Sequence, residues 1–232
     1  MIDFDYQIRK SIRRKTISIT VYADNRVLVA VPSRMSRKSV LQFIEAKSDW
    51  VRKTITRNLE KAKTRTSLRF VHGEKLPYLG SQYTLHIEEG YPEGVFSRDG
   101  ELRVRLNGFG ALNSRSEQIR DKLFQWYIEQ AEREIEERTR LYGTRIGVMP
   151  KSVTIKRMRC RWGSCSVKGS INLAWNIIMA PEDVLDYLIV HELCHLVHHN
   201  HSAQYWSLVA AVLPDYHKSR KWLRENGDYL TF

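Results

Sequence analysis

"VLDYLIVHELCHLVHHNH" (residues 184–201) is the stretch that decides the fold. Just before it, Pro181 followed by Glu182 and Asp183 opens a helix with the negative charges that an N-terminal dipole favours. From Val184 to Val197 the helix is apolar almost all round, through Leu185, Leu188, Ile189, Val190, Leu193, Cys194 and Leu196, so it belongs inside a core. Yet it carries His191, Glu192 and His195. A carboxylate and two imidazoles are costly to bury without compensation, and a divalent cation would supply it. Residues four apart are rotated by about 400°, which leaves His191 and His195 about 40° apart on one face. That pair suits two legs of a tetrahedral zinc site. Glu192 stands one step around, close enough to act on a water there as general base, the arrangement H-E-x-x-H.

A third ligand must come from beyond the helix. His201 follows His195 by six residues and would face away on a continuous helix. The sequence predicts that the helix ends near His199–Asn200, with Asn200 in the left-handed conformation it tolerates, so that the chain turns back and brings His201 to the metal. Ser202 then caps the next helix, "SAQYWSLVAAVLP" (202–214). The rival ligand is Asp215, twenty residues past His195. The histidine spacing equals that of the metzincins, but His198 replaces their glycine and no Met-turn is evident. His198 and His199 read as surface histidines near a helix end, and Cys194 as a core residue. A closed structural site would need a fourth ligand, for which Cys160 and Cys165 in "CRWGSC" (160–165) are the candidates.

The chain around this stretch has 232 residues, enough for one large domain or two small ones with real cores. No apolar run approaches the ~18–20 residues that span a bilayer, and "MIDFDYQIRK" (1–10) has no apolar signal stretch. Cys160, Cys165 and Cys194 do not suggest a disulfide framework. A reduced, cytoplasmic protein without membrane contact is expected. The net charge of +12 is uneven: residues 1–70 carry 17 Lys/Arg against 6 Asp/Glu, and residues 71–150 carry 11 against 13. The basic third is either a weak footprint for a polyanion or nucleic acid, or a solvated face that aids solubility.

"YQIRKSIRRKTISITVYADNRVLVAVP" (6–32) alternates apolar and polar residues and reads as two or three antiparallel strands. "SRKSVLQFIEAKSDWVRKTITRNLEKA" (36–62) reads as one amphipathic helix, and strands follow within 75–89 and 100–108. The glycines of "NGFGALNS" (107–114) mark the expected boundary between a basic, β-rich region (1–107) and a catalytic domain (108–232). Ser114 and Glu117 look like a capping box for a long helix reaching about Leu141. "SVTIKRM" (152–158) and "SINLAWNI" (170–177) read as strands flanking the loop "RCRWGSCSVKG" (159–169).

Three motifs, "RWGSCSVKGSINLAW" (161–175), "YLIVHELCHLVHHNHSAQYW" (187–206) and "LPDYHKSRKWL" (213–223), together resemble the YgjP-like predicted metal-dependent hydrolases, relatives of the SprT-type zinc metallopeptidases. The resemblance covers nearly the whole chain. It implies zinc on His191, His195 and His201, and Glu192 as catalytic carboxylate. It also implies an α+β, zincin-like fold in which a strand near 170–176 borders the site helix and pairs with an extended substrate. Ala174 stands where the resemblance leads one to expect Asn. Arg161, Trp162 and Ser164 are the candidate substrate contacts.

Three functions remain open at this level. The favoured one is a zinc-dependent metallopeptidase acting on a peptide or protein, because the base is spare and one metal position stays open. The alternative is a nucleoside-triphosphate pyrophosphatase, acting for example on UTP, with Arg157, Arg159 and Arg161 on the phosphates. The third is a nucleic-acid-binding protein with a structural zinc.

Overall fold

In the computed structural model, which describes residues 2–22, 24–64, 68–108, 112–158 and 161–230, the alternation of Val27, Val29 and Val31 buries one face of a strand, β3 (Val27–Pro32). With β1 (Gln7–Ser11) and β2 (Ser18–Val21) it forms a sheet of order β1-β3-β2. β2 turns into β3 through Asn25, whose φ of 65° is one that asparagine tolerates, and the two run antiparallel. β1 takes the other edge of β3 and runs parallel to it, not antiparallel as expected. Alternation marks a buried face but says nothing of strand direction. The helix expected at 36–62 is two, α1 (Arg37–Ala46), capped by the Ser36 hydroxyl, and α2 (Ser48–Thr64), with Lys47 between them at φ −105° and ψ 2°. Val40 and Ile44 of α1 close the core over Val29 and Val31.

These elements make up one compact unit, Met1–Ser67, and the rest of the chain, Leu68–Phe232, makes up the second. The boundary expected at 107/108 therefore falls inside the second unit. The reason is packing: Leu76, Leu85, Leu102, Val104 and Leu106 share one core with Ile119, Leu123 and Tyr127. The first five come from a sheet of order β4-β5-β7-β6, formed by β4 (Lys75–Tyr78), β5 (Ser81–Glu89), β6 (Gly94–Arg98) and β7 (Glu101–Leu106). The last three come from α3 (Leu112–Ile146), which starts before Ser114 and so leaves that residue inside the helix instead of capping it. A third sheet of order β8-β10-β9 joins β8 (Ser152–Lys156), β9 (Gly163–Cys165) and β10 (Ser170–Ala174). A short 3₁₀ turn, α4 (Glu182–Cys194), α5 (Ala203–Val212) and α6 (Tyr216–Asn226) complete a mixed α and β architecture. No helix among the described residues is long and apolar enough to cross a membrane.

Two contacts fix α4. The β4–β5 hairpin turns at Gly80, with φ +77°, and a Cβ there would stand 2.8 Å from the Cα of Pro181, the residue that opens α4. Only glycine fits both the turn and the close approach. On the other flank Arg138 of α3, with 12% of its side chain exposed, donates to Asp186 and Glu182 at 2.8 Å each and also binds Glu134. The Tyr142 hydroxyl donates to Asp186 at 2.8 Å.

Candidate metal centre

Helix α4 is as buried as its composition requires, with Leu185, Val190, Leu193 and Cys194 fully enclosed. It stops at Cys194, about one turn before the expected end, and Asn200 is not among the left-handed residues. The His195 ring supplies a local alternative to more helix: its Nδ1 lies 3.0 Å from the His198 carbonyl oxygen. The backbone tightens through Leu196 N–H to Leu193 O at 3.0 Å and Val197 N–H to Cys194 O at 3.1 Å. Ser202 then caps α5 as expected, its hydroxyl accepting from Tyr205 N–H at 3.3 Å.

This early turn brings His201 back to the end of α4. One ligating atom each from His191, His195 and His201 lies within 4.8 Å of the others, and His191 Nε2 is 3.3 Å from His201 Nε2. Two nitrogens at ~2.0–2.1 Å from a tetrahedral ion lie ~3.3–3.4 Å apart, so the residues present fit a zinc-sized cation. Asp215, the rival, is exposed, paired with Lys218 at 3.1 Å and outside the group. Cys165 is also outside it, while Cys160 and Arg159 lie outside the described residues. Among the described residues, then, the group offers three ligands and no fourth.

Glu192 is 4% exposed, and its Oε2 has no hydrogen-bond partner. Its other oxygen lies against Gly163 of β9, where a Cβ would stand 2.8 Å from the carboxyl carbon. Burial pushes the carboxyl up to about 7, against the opposing pull of the Arg161 charge. Burial also holds His191 neutral, its imidazolium pushed down to about 3, and lowers His195. The Cys165 thiol is raised by burial and by the nearby Glu192.

The residues of the 161–165 segment take different positions. Arg161 is exposed. The Trp162 ring packs on Gly227, where a Cβ would stand 2.9 Å from it, and the Trp162 carbonyl accepts from Ala174 N–H at 2.8 Å. The Ser164 hydroxyl accepts from Asn172 Nδ2 at 3.3 Å, and Ala174 is core at 1% exposure. The segment read as a loop contains β9, too short to show a period. That changes the place for an added strand. β10, expected to receive substrate, is paired on both sides, and the outer edge next to Glu192 belongs to β9.

Two further residues shape the centre without having been marked in the sequence. Tyr205 is fully buried, with its hydroxyl 2.7 Å from His191 Nδ1. Trp206 stacks on His201 with centroids 5.4 Å apart and planes at 19°. Their position one turn after His201, just behind an N-cap, was the available signal.

A family described as YgjP-like, metallopeptidase domain, matches residues 15–226. No curated protein matches the chain. A solved structure, the metallopeptidase zymogen abylysin of Pyrococcus abyssi, is similar at 23% identity over 39% of this chain and 93% of that one. Its TM-score of 0.36 is too low to carry an argument.

Proposed function

The chain belongs to the YgjP-like metallopeptidase domain family, and from that premise we propose that it is a zinc-dependent peptidase with Glu192 as general base. The family and the histidine group support a metal-dependent hydrolase; zinc and peptide are the finer reading. The observation that carries it is the unpartnered, buried Glu192 carboxylate beside three converging imidazoles. A purely structural metal has no use for such a group, and an unsatisfied buried polar atom costs stability.

His191, His195 and His201 would hold the ion. When bound, zinc supplies Lewis acidity, which polarises a carbonyl and makes water acidic enough to ionise near neutral pH. Glu192, raised to about 7 by burial, is matched to taking a proton from water at that pH and returning it to the leaving amine. The free edge of β9 supports a peptide substrate. An extended chain added there by main-chain hydrogen bonds would pass Glu192, with Arg161 at the start of the same segment. A site helix beside such an edge also supports a zincin-like arrangement.

Protein purified without chelator should carry near-stoichiometric zinc and lose most of it in His201→Ala. Glu192→Gln should keep the zinc while turnover of a peptide library falls about 10²–10⁴-fold. Zinc retained in His201→Ala overturns the ligand set, and unchanged turnover in Glu192→Gln overturns the base. Turnover confined to nucleoside triphosphates would move the substrate to phosphoanhydrides.

A further inference from the structure

The Tyr205 hydroxyl makes two contacts with a single residue, 2.7 Å to His191 Nδ1 and 3.0 Å to the His191 carbonyl oxygen. A carbonyl only accepts, so the phenolic hydrogen belongs to it. The phenolic oxygen then turns a lone pair toward Nδ1, which is favourable only if Nδ1 carries a hydrogen. The reverse assignment would set two oxygens lone pair to lone pair at 3.0 Å. His195 gives the same answer independently, because its Nδ1 lies 3.0 Å from the His198 carbonyl and must be the donor. Both rings therefore carry their hydrogen on Nδ1 and leave the Nε2 lone pair for the space they share with His201. Tyr205 is 0% exposed, stacks on His195 at 4.7 Å and meets His201 edge-on at 4.8 Å, so one side chain braces all three rings.

We propose that Tyr205 is a positioning residue for the metal: its hydroxyl locks His191 as the Nδ1–H tautomer and its ring fixes the planes of the other two ligands. This rests on the reading that the three histidines hold a metal, and adds the device that prepares them. Partners of this kind, placed behind metal-ligating histidines, set tautomer and orientation and are commonly worth about 10–100-fold in metal affinity. Tyr205 has a second duty. The His191 carbonyl is among the last four of α4, and the hydroxyl satisfies it. Loss of stability alone therefore cannot test the proposal.

The test uses the full chain and Tyr205→Phe. Nitrogen-15 spectra of the metal-free wild type should report His191 as Nδ1–H, and the variant should lose that preference. Zinc affinity, measured by competition with a chromophoric chelator, should fall about 10–100-fold in the variant, with an altered visible spectrum for bound cobalt. His191 found as Nε2–H in the metal-free wild type overturns the proposal, as does equal zinc affinity in the two proteins. If Tyr205→Phe fails to fold, the wild-type tautomer still decides. A wild type that binds no zinc but shows the Nδ1–H tautomer would overturn the metal reading and the proposal's purpose together, a result distinct from either failure above.

Discussion

Gly163 leaves room for only a hydrogen beside the Glu192 carboxyl, and this sets how finely the proposed base is placed. Gly163→Ala would drive a methyl to 2.8 Å from the carboxyl carbon, closer than atoms pack, so the carboxylate must swing away. The variant should hold zinc as well as the wild type does, because the three atoms nearest an added Cβ all belong to Glu192, and lose about 10²-fold or more in peptide turnover. Zinc content and kcat measured on the same preparation check this; unchanged kcat would mean that the carboxyl moves without cost. The sequence shows the histidine pair because helix geometry alone places residues four apart on one face. It does not show Gly163, which arrives from a strand of three residues across a contact between elements. Nor does it show the roles of Tyr205 and Trp206, which look like ordinary apolar residues of an amphipathic helix.

The first turns of helix α4 are held on two flanks, by Pro181 against Gly80 and by Asp186 and Glu182 on Arg138. Arg138→Ala would strand Asp186, at 24% side-chain exposure, without its cation and leave Glu134, at 16%, only the more distant Arg133 at 4.0 Å. A fully buried pair broken in this way costs about 3–5 kcal/mol, and partial contact with water here reduces that to about 2–3 kcal/mol. Denaturant unfolding measures it, and Arg138→Met, which keeps the apolar stem, should lose nearly as much. A loss below ~0.5 kcal/mol in both would show that the Arg138 ion pairs do not anchor α4. The helix α3 was legible from its period and α5 from its cap, while the break at Lys47 within 36–62 was not. Nor was the end of α4, because its C-cap is His195, no ordinary stop signal, whose ring nitrogen meets the His198 carbonyl just past the end. β6 was missed because "GVFSR" buries no residue fully and so shows little alternation.

Across the whole chain the basic excess lies almost entirely in residues 1–70, where 6 acids cannot neutralise 17 Lys and Arg. Among the described residues there, ion pairs join Asp24 to Arg26, and Asp3 and Asp49 to Arg52. We expect weak binding of short single- and double-stranded DNA by the full protein, with log K falling linearly in log salt between ~50 and ~200 mM as counterions are released. Absence of binding at the low end would make the charge a solubility device. Tight triphosphate binding that survives ~200 mM salt would point to nucleotides instead. Charge could be counted from sequence, but the division into units could not. The glycines at 107–110 suggested a boundary, yet β4 to β7 bury their apolar faces with α3, and the compact units part at Ser67/Leu68.

All three imidazoles come from eleven consecutive residues, 191–201, with no ligand contributed from elsewhere among the described residues. Bringing them together closes only a short loop, so the denatured chain keeps part of the affinity for the ion. Mass action stabilises a fold by the difference in affinity between the native and denatured states. Zinc would therefore raise the unfolding temperature by less than its native-state dissociation constant implies. What the denatured chain lacks is the Tyr205 hydroxyl, held against His191 only when α5 docks on α4. The thermal gain on adding metal is in that sense a measure of how much of the site is folded rather than merely nearby.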